Sequence, residues 1–212
     1  MESFNYKHII WDWNGTLLDD AWLCVEIMSE MLARRDLPPL SMDRYEQIFG
    51  FPVVDYYRMV GFDFAIEPFE QLSDEFMATY NRRVRECPLR TGARDVLLTG
   101  QQRGITQSIL SAMQQDTLNA LLDHFDLRAF FTSVTGLDNH HAAGKLARAQ
   151  DWIAAQNLPR TAILLVGDTV HDVEVAQALG VDGVYIHSGH HSRARLVAAG
   201  APLLDSLAGV YG

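Results

Sequence analysis

Apolar residues along this chain fall into two rhythms, short unbroken runs and helical spacings. The first run, Ile9-Ile10-Trp11, has the length of a buried strand and delivers Asp12 to its C-terminal end. From Ala21 to Arg35 the apolar side chains Trp22, Val25, Met28, Met31 and Leu32 recur at helical spacing, and Leu37-Pro38-Pro39 stops that helix. Ser41 reads as the N-cap of a short helix through Ile48, and Phe49-Gly50-Phe51-Pro52 reads as a turn. Helices are predicted at about 53–60 and from Pro68 to Arg85. No period-two pattern occurs between residues 21 and 87, so this stretch is predicted to be a small helical unit.

Pro88-Leu89-Arg90-Thr91-Gly92 reads as a linker, and beyond it the two rhythms alternate. Predicted strands lie at Gln107–Leu110, Phe130–Val134, Ala162–Val166 and Gly183–Ile186. Between and around them, helices are predicted at 93–102, 114–123, 145–156, 171–179 and 193–199. Strands alternating with helices imply a parallel sheet covered on both faces. The expected fold is α/β, a doubly wound, Rossmann-like core built from residues 1–20 and 88–212, with an α-helical cap over 21–87 inserted after strand one.

Composition narrows the function. A formal charge of -10 argues against a nucleic-acid binder, because phosphate backbones call for a basic surface. No apolar run is long enough to span a membrane and no signal-peptide pattern opens the chain, so no membrane partner and a cytoplasmic location are expected. Cys24 and Cys87 are read as reduced, buried thiols. Lysine occurs only at Lys7 and Lys145, against fifteen arginines.

The chemistry gathers where strands end. Asp12 follows the first strand and Ser111 the second; Lys145 opens a helix after the loop 136–144. The strand ending at Val166 runs into Gly167-Asp168-Thr169-Val170-His171-Asp172, with two aspartates four apart at a helix start. In an open α/β sheet this edge is where ligands bind. Three carboxylates cannot crowd together at neutral pH without a cation or a proton, and an all-oxygen donor set suits Mg²⁺. A lysine and a hydroxyl beside such an ion suit a phosphoryl group, which an aspartate can attack.

These residues give the chain its resemblance. Asp12-Trp13-Asn14-Gly15-Thr16, Ser111, Lys145 and Gly167-Asp168-xxx-Asp172 resemble the four motifs of the haloacid dehalogenase-like hydrolases, in the helical-cap branch that includes phosphoglycolate phosphatase-like enzymes. The resemblance implies Asp12 as nucleophile and Mg²⁺ ligand, with Asp168, Asp172 and the backbone carbonyl of Asn14 completing the metal site. It implies that Ser111, Ala112, Lys145 and Thr16 grip the phosphate, and that the cap loop at Gly50 and Phe51 meets the substrate.

Phosphatases of that family carry a second aspartate, as general acid/base, where this chain has Asn14. An amide cannot protonate a leaving alkoxide, and losing a positioned acid/base costs about 10²–10⁴ in rate. His171 and the cap residue Asp55 are candidate substitutes. Phosphonate cleavage in this family needs a cap lysine, and residues 21–87 contain none. Dehalogenation works without metal, whereas Asp168 and Asp172 are both present. The cap aromatics Phe49, Phe51, Tyr56 and Tyr57 are expected to form cap core, and Trp13 to face the cap and narrow the entrance. The expected function is a Mg²⁺-dependent phosphatase acting on a small phosphorylated metabolite, as a monomer or weak homodimer. The rival is a catalytically weak protein of the same fold that binds a phosphometabolite or a protein partner.

Overall fold

The computed structural model describes residues 4–137, 149, 150, 153 and 158–212. Six parallel strands form one sheet in the order β3-β2-β1-β4-β5-β6. They are β1 His8–Trp11, β2 Thr106–Gln114, β3 Ser133–Leu137, β4 Ile163–Gly167, β5 Asp182–Ile186 and β6 Leu203–Leu204. The chain starts in the middle of the sheet, winds outward on one side through β2 and β3, and returns to build β4, β5 and β6 on the other. This reversal leaves a crevice at the carboxyl ends of β1 and β4, whose register pairs Trp11 with Val166.

Alternation along β1 assigns its two faces. Ile9 and Trp11 join one apolar cluster with Ile109, Leu164 and Val166, and Ile10 joins another with Leu110, Leu165 and Val175. The first cluster continues without a break into the helical insertion through Leu23, Ile27, Tyr45 and Tyr80.

That insertion comprises α1 Ala21–Ala33, α2 Met42–Ile48, α3 Val53–Val60 and α4 Phe69–Arg83. As expected, Ser41 caps α2 by accepting the N–H of Arg44 at 3.2 Å. After the return, α5 Ala93–Gln102, α6 Gln115–His124, α7 Val170–Leu179 and α8 Arg193–Ala198 accompany the strands. α3 and α5 match their predicted bounds. Of the helix predicted at 145–156, only residues 149, 150 and 153 are described, and they are helical.

β6, Leu203–Leu204, is not among the predicted strands, and two that are predicted differ from expectation. β3 begins at Ser133, because Arg128–Phe130 form a 3₁₀ turn. β2 runs on to Gln114 across a register shift between Leu110 and Gln114. Ser111 therefore sits at a bulge inside a strand and not at its tip. Among the described residues, no helix is long and apolar enough to cross a membrane.

Candidate active site

Asp12 leaves β1 with its N–H bonded to the Val166 carbonyl at 2.9 Å, so β4 sets its position. Asp168 and Asp172 come from the β4–α7 junction. One carboxylate oxygen from each of the three lies within 4.8 Å of the others, and all three residues are buried. Thr169 and Asp172 form a capping box at the start of α7, and Asp172 Oδ2 accepts the Thr169 hydroxyl at 2.6 Å. Asp168 is held at both oxygens, Oδ1 by the Thr16 hydroxyl at 2.8 Å and Oδ2 by the His190 N–H at 2.6 Å. Burial pushes the Asp168 carboxyl above its ordinary range, and Asp172 beside it adds to the rise against the opposing pull of His190. Three fixed, desolvated oxygen donors fit a small hard cation such as Mg²⁺.

The turn after Asp12 is forced by glycine. Gly15 has φ +72°, and a Cβ there would lie 2.3 Å from Asp168 Oδ2. The turn presents Asn14 to a second buried carboxylate, Asp20. Asn14 Nδ2 donates to Asp20 Oδ2 at 2.7 Å and to the Tyr80 hydroxyl at 2.8 Å. Tyr80 in turn donates to Asp20 Oδ2 at 2.7 Å, and the Gly15 N–H donates to Oδ1 at 2.9 Å. His190 Nε2 approaches Asp20 Oδ1 at 3.3 Å, and its Nδ1 meets the Tyr45 hydroxyl at 2.7 Å.

Burial opposes charge on both Asp20 and His190, yet their pairing prevails. His190 is pushed up to about 9 by Asp20, Asp168 and Asp12, and Asp20 is held below the usual carboxylate range by His190, Tyr80 and Asn14. This buried ion pair stitches β1, the helical insertion and the loop after β5 together beside Asp12.

A cavity of about 680 Å³ opens on Asp12 and Asn14 and extends between α1, α3 and α4. Phe49, Phe51, Tyr56, Tyr57, Phe76 and Tyr80 contribute to its wall. Arg195 on α8 holds the wall residue Phe49 by donating to the carbonyls of Phe49 at 2.6 Å and Glu46 at 3.0 Å.

A family model for the haloacid dehalogenase-like hydrolases matches residues 9–186. The chain belongs to that family. It is 27% identical over 199 residues to a phosphoglycolate phosphatase of Synechococcus elongatus, covering 90% of this chain and 88% of that one. It is also 26% identical to the tyrosine-protein kinase PtkA of Mycobacterium tuberculosis, covering 86% of this chain and 62% of the relative. Among solved structures, a haloacid dehalogenase-like hydrolase from Streptococcus pneumoniae superposes with a TM-score of 0.81 at 16% identity, covering 97% of each chain; at that identity the likeness is one of fold.

Within this hydrolase, Asp12, Asp168 and Asp172 lie together, Asn14 lines the cavity with Asp12, and Lys145 lies outside the described residues. Thr16 is fully buried, and its hydroxyl is given to Asp168. Ser111 is buried, accepts the Met113 N–H at 3.0 Å and reaches Asn14 Oδ1 at 3.4 Å, while Ala112 lines the cavity. Phe51 lines the cavity beside His171, whereas Gly50 sits against Arg195.

Three expectations need correction. Trp13 does not narrow the entrance, because it is fully buried and packs toward Phe125. Asp55 is exposed and paired with Arg58 at 2.6 Å, so it is no substitute acid. The cap aromatics are core and cavity wall at once. Asp20, Tyr45, Tyr80 and His190 were not singled out as a site from the sequence. Only the second aspartate of Asp19-Asp20 and the loop His190-His191 hinted at them, and no local spacing connects the two.

Proposed function

We propose that this hydrolase is a phosphatase that transfers the phosphoryl group of a small monoester to Asp12 and then to water. The observation that carries the reading is the buried cluster of Asp12, Asp168 and Asp172, whose Asp12 lines the cavity. Asp12 attacks phosphorus, the P–O bond to the leaving group breaks, and that oxygen departs with the electron pair. Water then attacks the aspartyl-phosphate, releasing inorganic phosphate and restoring the carboxylate. Asp12, Asp168 and Asp172 would hold a Mg²⁺ ion, which when bound would supply charge neutralisation for the phosphoryl group.

The remaining residues position these groups. Thr16 and the His190 N–H fix Asp168, and Asp20 and Tyr80 fix Asn14. The phosphatase names of the relatives support the reading. The test is hydrolysis of acetyl phosphate and phenyl phosphate with Mg²⁺ by wild type and Asp12→Asn. The expected result is loss of at least 10³-fold in the variant with its fold intact. Equal rates would overturn the proposal and favour a binding protein.

A further inference from the structure

We propose that the leaving group this phosphatase accepts is an uncharged aromatic alcohol, so that its substrates are apolar aryl phosphates. The inference rests on the phosphatase reading above and names its substrate class. Two independent observations lead to it, one at each end of the cavity.

At the reaction end, the leaving oxygen finds no proton at Asn14. Both hydrogens of the Asn14 amide are committed, one to Asp20 Oδ2 at 2.7 Å and one to the Tyr80 hydroxyl at 2.8 Å. The Tyr80 hydroxyl proton is itself given to Asp20. The remaining atom of the amide is its oxygen, which accepts from Ser111 Oγ at 3.4 Å, and an oxygen acceptor cannot neutralise a departing oxyanion. Of the histidines on the wall, His190 has Nε2 on Asp20 and Nδ1 on Tyr45, and His171 has Nδ1 on Glu174, so a leaving group that departs here without a proton from Asn14 carries its own negative charge. A phenol, with a pKa of about 10, does this far better than an alkanol, whose acidity is close to that of bulk water at about 16.

At the far end, the cavity is built for an apolar ring. Phe49, Phe51, Tyr56, Phe69 and Phe76 present their rings, and Met28 and Met77 supply adaptable thioether surface between them. Among the described residues, no lysine or arginine lines the cavity, and its charged groups besides the histidines are Asp12, Asp20 and Glu174. The nearby Arg195 spends Nη1 on the carbonyls of Phe49 and Glu46. A carboxylate on the substrate, as in phosphoglycolate, would be desolvated against aromatic carbon and acidic side chains, and among the described residues the one cationic group of the wall, His190, already has its ring nitrogens on Asp20 and Tyr45. At about 680 Å³ the space holds a one- or two-ring group with the phosphoryl at Asp12.

The experiment measures kcat/KM with Mg²⁺ for five esters and acetyl phosphate, with Asp12→Asn as the blank. Phenyl and 1-naphthyl phosphate test the ring. O-phosphotyrosine keeps a phenolic leaving group but adds charge, n-hexyl phosphate keeps apolarity but loses the acidic alcohol, and 2-phosphoglycolate is small and anionic.

The expected order places 1-naphthyl above phenyl phosphate, and phenyl at least tenfold above O-phosphotyrosine. Both hexyl phosphate and phosphoglycolate are expected at least a hundredfold below phenyl. 1-Naphthol is expected to inhibit competitively where glycolate at the same concentration does not. Met77→Lys, on a half-buried position of the wall, is expected to narrow the gap between phenyl phosphate and phosphoglycolate at least tenfold. Phosphoglycolate or hexyl phosphate equal to phenyl phosphate, with acetyl phosphate hydrolysed, overturns the substrate class and leaves the phosphatase reading standing. No turnover of any compound above Asp12→Asn, acetyl phosphate included, overturns both.

Discussion

Replacing Asn14 by aspartate is a change of one atom type with a large expected penalty, because position 14 faces a carboxylate already. The Asn14 amide nitrogen lies 2.7 Å from Asp20 Oδ2, and Asp20 is fully buried. In Asn14→Asp an oxygen takes the place of that nitrogen. Two unit charges at that distance repel by about 6 kcal/mol at an effective dielectric of about 20. Binding a proton is cheaper. Holding one carboxyl neutral at pH 7 against an ordinary pKa of about 4 costs about 4 kcal/mol, and the new O–H···O⁻ bond returns part of it. The expected loss of stability at pH 7 is therefore about 2–4 kcal/mol.

The sign of its pH dependence follows from the same step. The shared proton raises the pair's folded-state pKa above its unfolded value, so the penalty is absent near pH 4 and grows by about 1.4 kcal/mol per pH unit above it. Urea unfolding of wild type, Asn14→Asp, Asp20→Asn and the double variant at pH 5, 6 and 7 measures this. The double variant, with one carboxyl again, should lose the pH-dependent part. A penalty that does not change with pH, or single effects that add to within about 0.5 kcal/mol in the double variant, would refute the argument.

Other residues give further tests. His8 is buried in β1 between the hydroxyls of Thr106 and Ser108, and burial pulls its pKa from 6.5 down to about 4. The unfolded chain binds the extra proton between those values, so stability is full above pH 6.5 and falls by about 3 kcal/mol as the pH drops to 4. His8→Gln should flatten that slope in urea titrations. Gly15→Ala forces a side chain into a left-handed turn and onto Asp168 and His190; a loss of more than about 2 kcal/mol is expected in thermal unfolding. Mg²⁺ at about a hundred times its Kd should stabilise wild type by about 2.7 kcal/mol, and the shift should vanish in Asp168→Asn. An unshifted wild type would remove the metal assignment.

Within the sequence alone, the order of elements and three corners of the site could be read. Unbroken apolar runs such as Ile9–Trp11 and Ile163–Val166 mark strands buried on both faces, and each run ends at or just before an acidic loop. The four-residue spacing of Asp168 and Asp172 put both at a helix start: Asp172 is in the first turn of α7, and Asp168 directly precedes its N-cap, Thr169. These features are local: backbone period and strand length decide them, and neither needs a distant partner.

What the tertiary structure alone decided lies between elements. Asp20, Tyr45, Tyr80 and His190 are spread over 170 residues, and only docking of the helical insertion onto the sheet edge brings them within hydrogen-bond reach of Asn14 and of one another. The double role of the cap aromatics has the same origin. A ring at helical spacing is apolar whether it meets another helix or a cavity, and the gap it faces belongs to the packing of α1, α3 and α4. The burial of Trp13 follows likewise, since the turn at Gly15 sends Asn14 toward the insertion and its neighbour into the core. Local periodicity builds the frame, but the charge balance at Asn14 exists only once the chain has closed on itself.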